Sequence, residues 1–142
     1  MSETNTIVNI PPVPEKSGIK VVLIVEDDAL NQITIKRFIG NRYSTIITNS
    51  SDGAREVLKK EKVDIILMDI SIRGKKNGLE LIKELKASKE FSYIPVIAIT
   101  AHAFEEDKQN ALGAGCDGFL AKPFIKESLL NIIAFYADKS KS

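Results

Sequence analysis

Val21-Val22-Leu23-Ile24-Val25-Glu26-Asp27-Asp28 is the stretch whose reading decides the fold. Five consecutive apolar residues do not make a half-exposed strand, which alternates apolar with polar. They suit a strand of a parallel sheet covered by helices on both faces. The same pattern returns at Ile65-Ile66-Leu67-Met68, closed by Asp69, and at Val96-Ile97-Ala98-Ile99, closed by Thr100. Tyr43 to Asn49 and Gly118 to Ala121 are weaker strand candidates. Helical periods fall between these runs, at 29–40, 52–61, 78–88, 104–113 and 126–137. In the last of them Leu129, Leu130, Ile133, Phe135 and Tyr136 are expected to form one apolar stripe against the sheet. Strand and helix therefore alternate five times. The expected fold is α/β, a doubly wound (βα)5 flavodoxin-like sandwich whose five-stranded parallel sheet has the order 2-1-3-4-5.

Composition bounds what such a domain does. Twenty Lys+Arg oppose nineteen Asp+Glu in 142 residues, a formal net charge of +1, which supplies no global field for nucleic acid or an anionic membrane. No apolar run approaches the roughly 20 residues that a membrane span needs. One cysteine, Cys116, and one histidine, His102, hold neither an intrachain disulfide nor a structural zinc, and a reducing, cytoplasmic setting is expected. Residues 1–19, with Pro11, Pro12 and Pro14, are expected to form an extended arm or linker. Residues 20–138 form the domain, and 139–142 a frayed tail.

In a doubly wound sheet, ligands sit beyond the carboxyl ends of the strands. The residues predicted there are Glu26, Asp27 and Asp28, then Asp69, Thr100, and Lys122 followed by Pro123. Carboxylates gathered on one rim repel one another unless a proton or cation intervenes. Mg2+ suits them, because it prefers oxygen ligands and needs only one or two protein carboxylates; Asp69 and one of Glu26 or Asp27 are the candidates. A carboxylate can also be a nucleophile, forming an aspartyl phosphate. Lys122 would offer a mobile positive charge to phosphate oxygens and Thr100 a hydroxyl hydrogen bond. Each also has a plainer structural role open to it: Asp28 as a helix N-cap, Thr100 as a strand end, Lys122 as a surface lysine.

Four blocks, Leu23-Ile24-Val25-Glu26-Asp27-Asp28, Ile66-Leu67-Met68-Asp69, Ile99-Thr100-Ala101-His102-Ala103 and Gly118-Phe119-Leu120-Ala121-Lys122-Pro123-Phe124, together resemble response-regulator receiver domains over nearly all of 20–138. That resemblance implies that Asp69 is the phosphoacceptor and that Glu26 and Asp27 serve Mg2+, with Mn2+ as a substitute. It implies a metal contact from the backbone carbonyl of Ser71, a phosphate contact from Lys122, a cis bond between Lys122 and Pro123, and switch roles for Thr100 and Phe119. The partners it implies are a histidine kinase or histidine-phosphotransfer protein and a downstream protein target, with no nucleic acid and no membrane.

Departures from the family pattern are equally specific. Arg73 stands where many receivers have proline, and the loop from Asp69 to Gly78 is one residue longer, with Gly74 and Gly78 expected to supply positive φ. Arg73, Lys75 and Lys76 add charge there, and Phe119 replaces the tyrosine common at that position. Gly113-Ala114-Gly115-Cys116-Asp117-Gly118 fits G-x-G-x-x-G, but a helix precedes it and a short strand follows, so it is read as helix termination by Gly113 or Gly115. Asn49-Ser50-Ser51 matches a glycosylation sequon without any sign of secretion. Cys116 lacks an activating base, and His102 is read as a rim residue tuning water access.

The expected function is a phosphorylation-switched signalling module that takes a phosphoryl group from a partner phosphohistidine onto Asp69. Its output would leave through the surface of the fourth helix, fifth strand and fifth helix, since a receiver of about 119 residues fills a chain of this length. It would not be an enzyme beyond taking part in its own phosphotransfer and autodephosphorylation. Two alternatives stand beside it. One is a haloacid-dehalogenase-like phosphatase with Asp69 as nucleophile, for which position 71 should be aspartate rather than Ser71. The other is a receiver-fold interaction module that works without phosphorylation.

Overall fold

The three continuous apolar runs become the inner strands of a five-stranded sheet, and the two weaker candidates become its edges. A computed structural model describes residues 19–70, 77–101 and 104–139. The strands are β1 (Val21–Val25), β2 (Ser44–Thr48), β3 (Ile65–Asp69), β4 (Val96–Thr100) and β5 (Gly118–Ala121). All pairs are parallel and the order is β2-β1-β3-β4-β5, as the sequence predicts. The helices are α1 (Ala29–Ile39), α2 (Ser51–Lys60), α3 (Gly78–Ala87), α4 (Glu105–Ala114) and α5 (Lys126–Lys139). The inner strands are apolar throughout because both faces are covered. Leu23, Val25, Ile66, Met68 and Ala98 pack with Ala54, Leu58, Leu81, Leu85 and Ala111 on the α2–α3–α4 side. Val22, Ile24, Leu67, Ile97 and Ile99 pack with Ile35, Ile39, Leu129 and Ile133 on the α1–α5 side. Each large aliphatic side chain so enclosed contributes about 1.5–3 kcal/mol.

Helix ends follow local chemistry. The Asp28 carboxylate accepts the Asn31 N–H at 2.9 Å and caps α1, so its structural role is present. Ser50 caps α2 by accepting the Gly53 N–H at 3.0 Å, and Asn77 with Glu80 caps α3 reciprocally. α4 ends on Gly115 at φ 109°, which selects it over Gly113, a residue inside the helix.

Three expectations change. Phe135 does not join the α5 stripe: it is exposed at 56%, while Leu129, Ile133 and Ala137 are buried and Tyr136 is half-buried, its hydroxyl donating to the Asp117 carbonyl at 2.8 Å. Asp69 and Thr100 are the last residues of their strands rather than the first beyond them, because the ladder continues through Asp69↔Ile99 and Thr100↔Ala121. Gly78 is not a positive-φ glycine. It is required by close approach, since a Cβ there would lie 2.4 Å from the Ile70 Cα and 2.7 Å from the Asp69 carbonyl oxygen. The arm before Ile19, Ser71 with the loop to Lys76 (including Gly74), His102 and the last three residues lie outside the described residues. No helix among the described residues is long and apolar enough to cross a membrane.

Candidate functional site

The strand order brings the carboxyl ends of β1, β3, β4 and β5 onto one rim, and each delivers the polar residue that ends or follows its apolar run. Glu26 (2% exposed), Asp69 (3%) and Thr100 (2%) are buried, whereas Asp27 is exposed. Lys122, beyond β5, closes the group. Its Nζ donates to Glu26 Oε1 at 2.9 Å and to Asp69 Oδ2 at 3.0 Å, joining residues 96 and 53 positions away in sequence. The Lys122 N–H donates to the Thr100 carbonyl at 2.8 Å, which keeps the β5 exit against β4. The Lys122–Pro123 peptide bond is cis, as expected.

Oxygens of Glu26, Asp27 and Asp69 lie within 4.8 Å of one another. Burial pushes the Glu26 carboxyl above its ordinary value, the hydrogen bonds from Lys122 and the Asp28 N–H pull against that, and the nearby Asp69 charge adds to it. For Lys122 burial opposes the ammonium, but hydrogen bonds to Glu26 and Asp69 and their charge outweigh it, and its pKa is held above the ordinary lysine value. Three carboxylates against one ammonium leave two negative charges in excess within this triad and its lysine. All-oxygen ligands, close spacing and that excess fit a hard divalent cation. Glu26, Asp27 and Asp69 are the described residues able to hold one.

Thr100 and Phe119 share a sheet face. Phe119 pairs with Ala98, two residues before Thr100 on β4, and is half-buried against the α2–α3–α4 core. A cleft of about 430 Å³ opens beside Lys122, between Asn31, Thr34 and Ile35 of α1 and Pro123 and Phe124. The edge-on contact of Phe124 with Phe38, ring centroids 6.3 Å apart, ties that exit loop to α1.

The structure thus brings Glu26, Asp27, Asp69, Thr100 and Lys122 to one place from four strand ends, with Phe119 on the adjoining face. Cys116 is buried and its thiol is pushed up, chiefly by burial, as befits an inert residue. Sequence reasoning assigned no role to the residues that hold the acidic loop. Gln32 Nε2 donates to the Glu26 carbonyl at 2.6 Å, and the Glu26 N–H donates to the Thr48 carbonyl at 3.0 Å. No periodicity marks such contacts, because the partners are backbone carbonyls.

A family model described as the response regulator receiver domain matches residues 22–134. The polar-differentiation response regulator DivK of Brucella ovis is 36% identical over 118 residues, covering 82% of this chain and 95% of that protein. The receiver domain of a sensor histidine kinase from Pseudomonas aeruginosa, crystallised with a magnesium ion coordinated in its active-site cleft, is similar at a TM-score of 0.77 and 29% identity, covering 84% of this chain and 98% of that one. A CheY-like receiver domain protein from Methanospirillum hungatei has the same fold, with a TM-score of 0.77 at 24% identity, covering 87% and 97%.

Proposed function

This chain belongs to the family of response-regulator receiver domains, and from that premise we propose that it carries signals by accepting a phosphoryl group on Asp69 from a phosphohistidine of a partner protein. One observation carries this reading above the others: Lys122 bridges buried Glu26 and Asp69 at a rim where three carboxylates converge. A lysine held against a buried aspartate, with further carboxylates beside it, supplies both the nucleophile and the cation that a phosphoryl transfer requires.

In the transfer, a carboxylate oxygen of Asp69 attacks phosphorus. The O–P bond forms as the N–P bond of the phosphohistidine breaks, and the electron pair remains on the imidazole nitrogen, which takes up a proton. Lys122 turns from the carboxylates toward the phosphoryl oxygens, and the Thr100 hydroxyl donates to one of them. Glu26, Asp27 and Asp69 would hold Mg2+, or Mn2+ in its place, with the Ser71 carbonyl as the family resemblance implies, and the bound ion would supply charge neutralisation and alignment for the transferred group. The chain is then a phosphoacceptor that assists its own phosphorylation and autodephosphorylation rather than an enzyme with a separate substrate.

Movement of Thr100 toward the phosphoryl group opens space on the face it shares with Phe119. The Phe119 ring turns inward and changes the surface formed by α4, β5 and α5, which a downstream protein reads. Phosphate comes from a histidine kinase or a histidine-phosphotransfer protein. The setting is cytoplasmic, and neither nucleic acid nor membrane takes part.

Acetyl phosphate tests the chemistry without a partner. The native protein is expected to gain the mass of one phosphoryl group only with Mg2+ present, and Asp69→Asn is expected to gain none. No gain in the native protein, or an undiminished gain in the variant, overturns the mechanism. Phe119→Ala is expected to be phosphorylated normally yet to bind its target alike in both states.

A further inference from the structure

Glu26 is held at four points. Its N–H donates to the Thr48 carbonyl at 3.0 Å, its Oε2 accepts the Asp28 N–H at 3.1 Å, its Oε1 accepts Lys122 Nζ at 2.9 Å, and its carbonyl accepts Gln32 Nε2 at 2.6 Å. The last contact acts on a peptide plane. The Glu26 carbonyl and the Asp27 N–H belong to one rigid unit, so holding the carbonyl sets both ψ of Glu26 and the direction in which Asp27 leaves it. Asp27 is the exposed member of the three carboxylates whose oxygens lie within 4.8 Å, and burial does little to aim it. Gln32 itself has a rigid base: it is half-buried in the first turns of α1, and its N–H donates to the Asp28 carbonyl at 3.0 Å. Its side chain reaches back over the loop from a helix whose start is capped by Asp28.

Resting on the reading of this rim as a cation-assisted phosphoacceptor, we propose that Gln32 is a positioning residue for the cation site, aiming the Asp27 carboxylate through its hydrogen bond to the Glu26 carbonyl. Outer partners that orient ligating groups govern metal affinity as the ligands do, and their loss weakens binding about 10–100-fold. The role needs an N–H donor of glutamine's reach on α1. Methionine matches glutamine in length and helix preference and lacks that donor.

The test is direct Mn2+ titration of the whole, unphosphorylated chain, read by electron paramagnetic resonance of the free ion. Gln32→Met is expected to bind Mn2+ about tenfold more weakly than the native protein. In acetyl phosphate reactions it is expected to need correspondingly more Mg2+ for half-maximal rate, with the rate at saturating Mg2+ nearly unchanged. A purely structural role would lower the saturated rate or the thermal midpoint instead. Gln32→Ala, with the same direction expected, supplies the measurement if the methionine variant does not fold. Mn2+ affinity in both variants equal to native overturns the inference even when the native protein is phosphorylated normally. Native Mn2+ binding that falls in the variants, in a protein that never accepts phosphate, supports the inference and overturns the phosphoacceptor reading.

Discussion

Both ends of the sheet carry a lysine in an ion pair, and they use it in opposite ways. At the amino-terminal end, Asp117 Oδ2 accepts the Val96 N–H at 2.8 Å and Lys86 Nζ at 2.8 Å, while Lys86 also donates to the Ser92 and Ile94 carbonyls at 3.2 and 2.8 Å. Asp64 likewise accepts the Val21 N–H at 2.7 Å. These carboxylates are spent on the first amides of strands, and the lysine meets a single carboxylate in a partly exposed pair. At the carboxyl end, Lys122 bridges two buried carboxylates, with the exposed carboxylate of Asp27 close by. Residue type does not separate a staple from a reactive site. The gathering of several carboxylates about one lysine does, because such clustering of titratable groups in a buried place marks functional sites.

The sharpest way to break this contrast is to remove each lysine. Lys122→Met is expected to slow phosphorylation by acetyl phosphate on the order of 100-fold. It is also expected to cost about 3–5 kcal/mol of stability in denaturant titrations, much of it recovered by added Mg2+. Lys86→Met is expected to cost about 1 kcal/mol, untouched by Mg2+, with phosphorylation as in the native protein. A Mg2+-sensitive loss at Lys86, or none at Lys122, removes the distinction.

Two glycines sharpen it next. Gly78→Ala places a methyl group against the Ile70 Cα and the Asp69 carbonyl, and is expected to cost about 1–3 kcal/mol and to slow phosphorylation. Gly113→Ala, in a helix with nothing within 4 Å of the new atom, is expected to gain about 0.5–1 kcal/mol with function intact. Thermal midpoints of both variants check this, and equal losses contradict it.

A smaller effect is carried by pH. Glu26 has a folded-state pKa raised above 4.5, chiefly by burial, so the stability it supplies is complete below 4.5 and is lost as pH rises through the higher folded value. Lys122, raised above 10.5, contributes below 10.5 and loses that contribution as pH rises through its own folded value. In metal-free buffer, Glu26→Gln is expected to flatten the decline in stability as pH rises above 4.5. Parallel stability curves for native protein and variant refute it.

Much of this was legible because its causes are local or periodic. Val21–Val25, Ile65–Met68 and Val96–Ile99 announce buried strands since both their faces are covered, and β2 and β5 are fainter because a sheet edge has less to bury. Glu26, Asp27, Asp69, Thr100 and Lys122 could be named because each stands where an apolar run stops. What stayed hidden depends on three-dimensional approach. Phe135 is the exception, since its exposure was legible: two residues beyond Ile133 it stands about 200° around α5 from that buried side chain, off the Leu129–Ile133–Ala137 face, and its apolar character alone had put it in the stripe. The need for glycine at 78 comes from the chain of residues 69–70 passing beneath it, and the hold of Gln32 on Glu26 is addressed to a carbonyl that every residue carries.

The parallel register has a consequence for quality control. Thr100 shares a face with Phe119 only while β4 pairs Ala98 with Phe119 and Thr100 with Ala121. A slip of one residue turns every side chain of a strand to the opposite layer. The hydroxyl would then be lost among the α1–α5 aliphatics, turned away from the face it shares with Phe119. Under the proposed switch, a misassembled copy would therefore be mute rather than misleading.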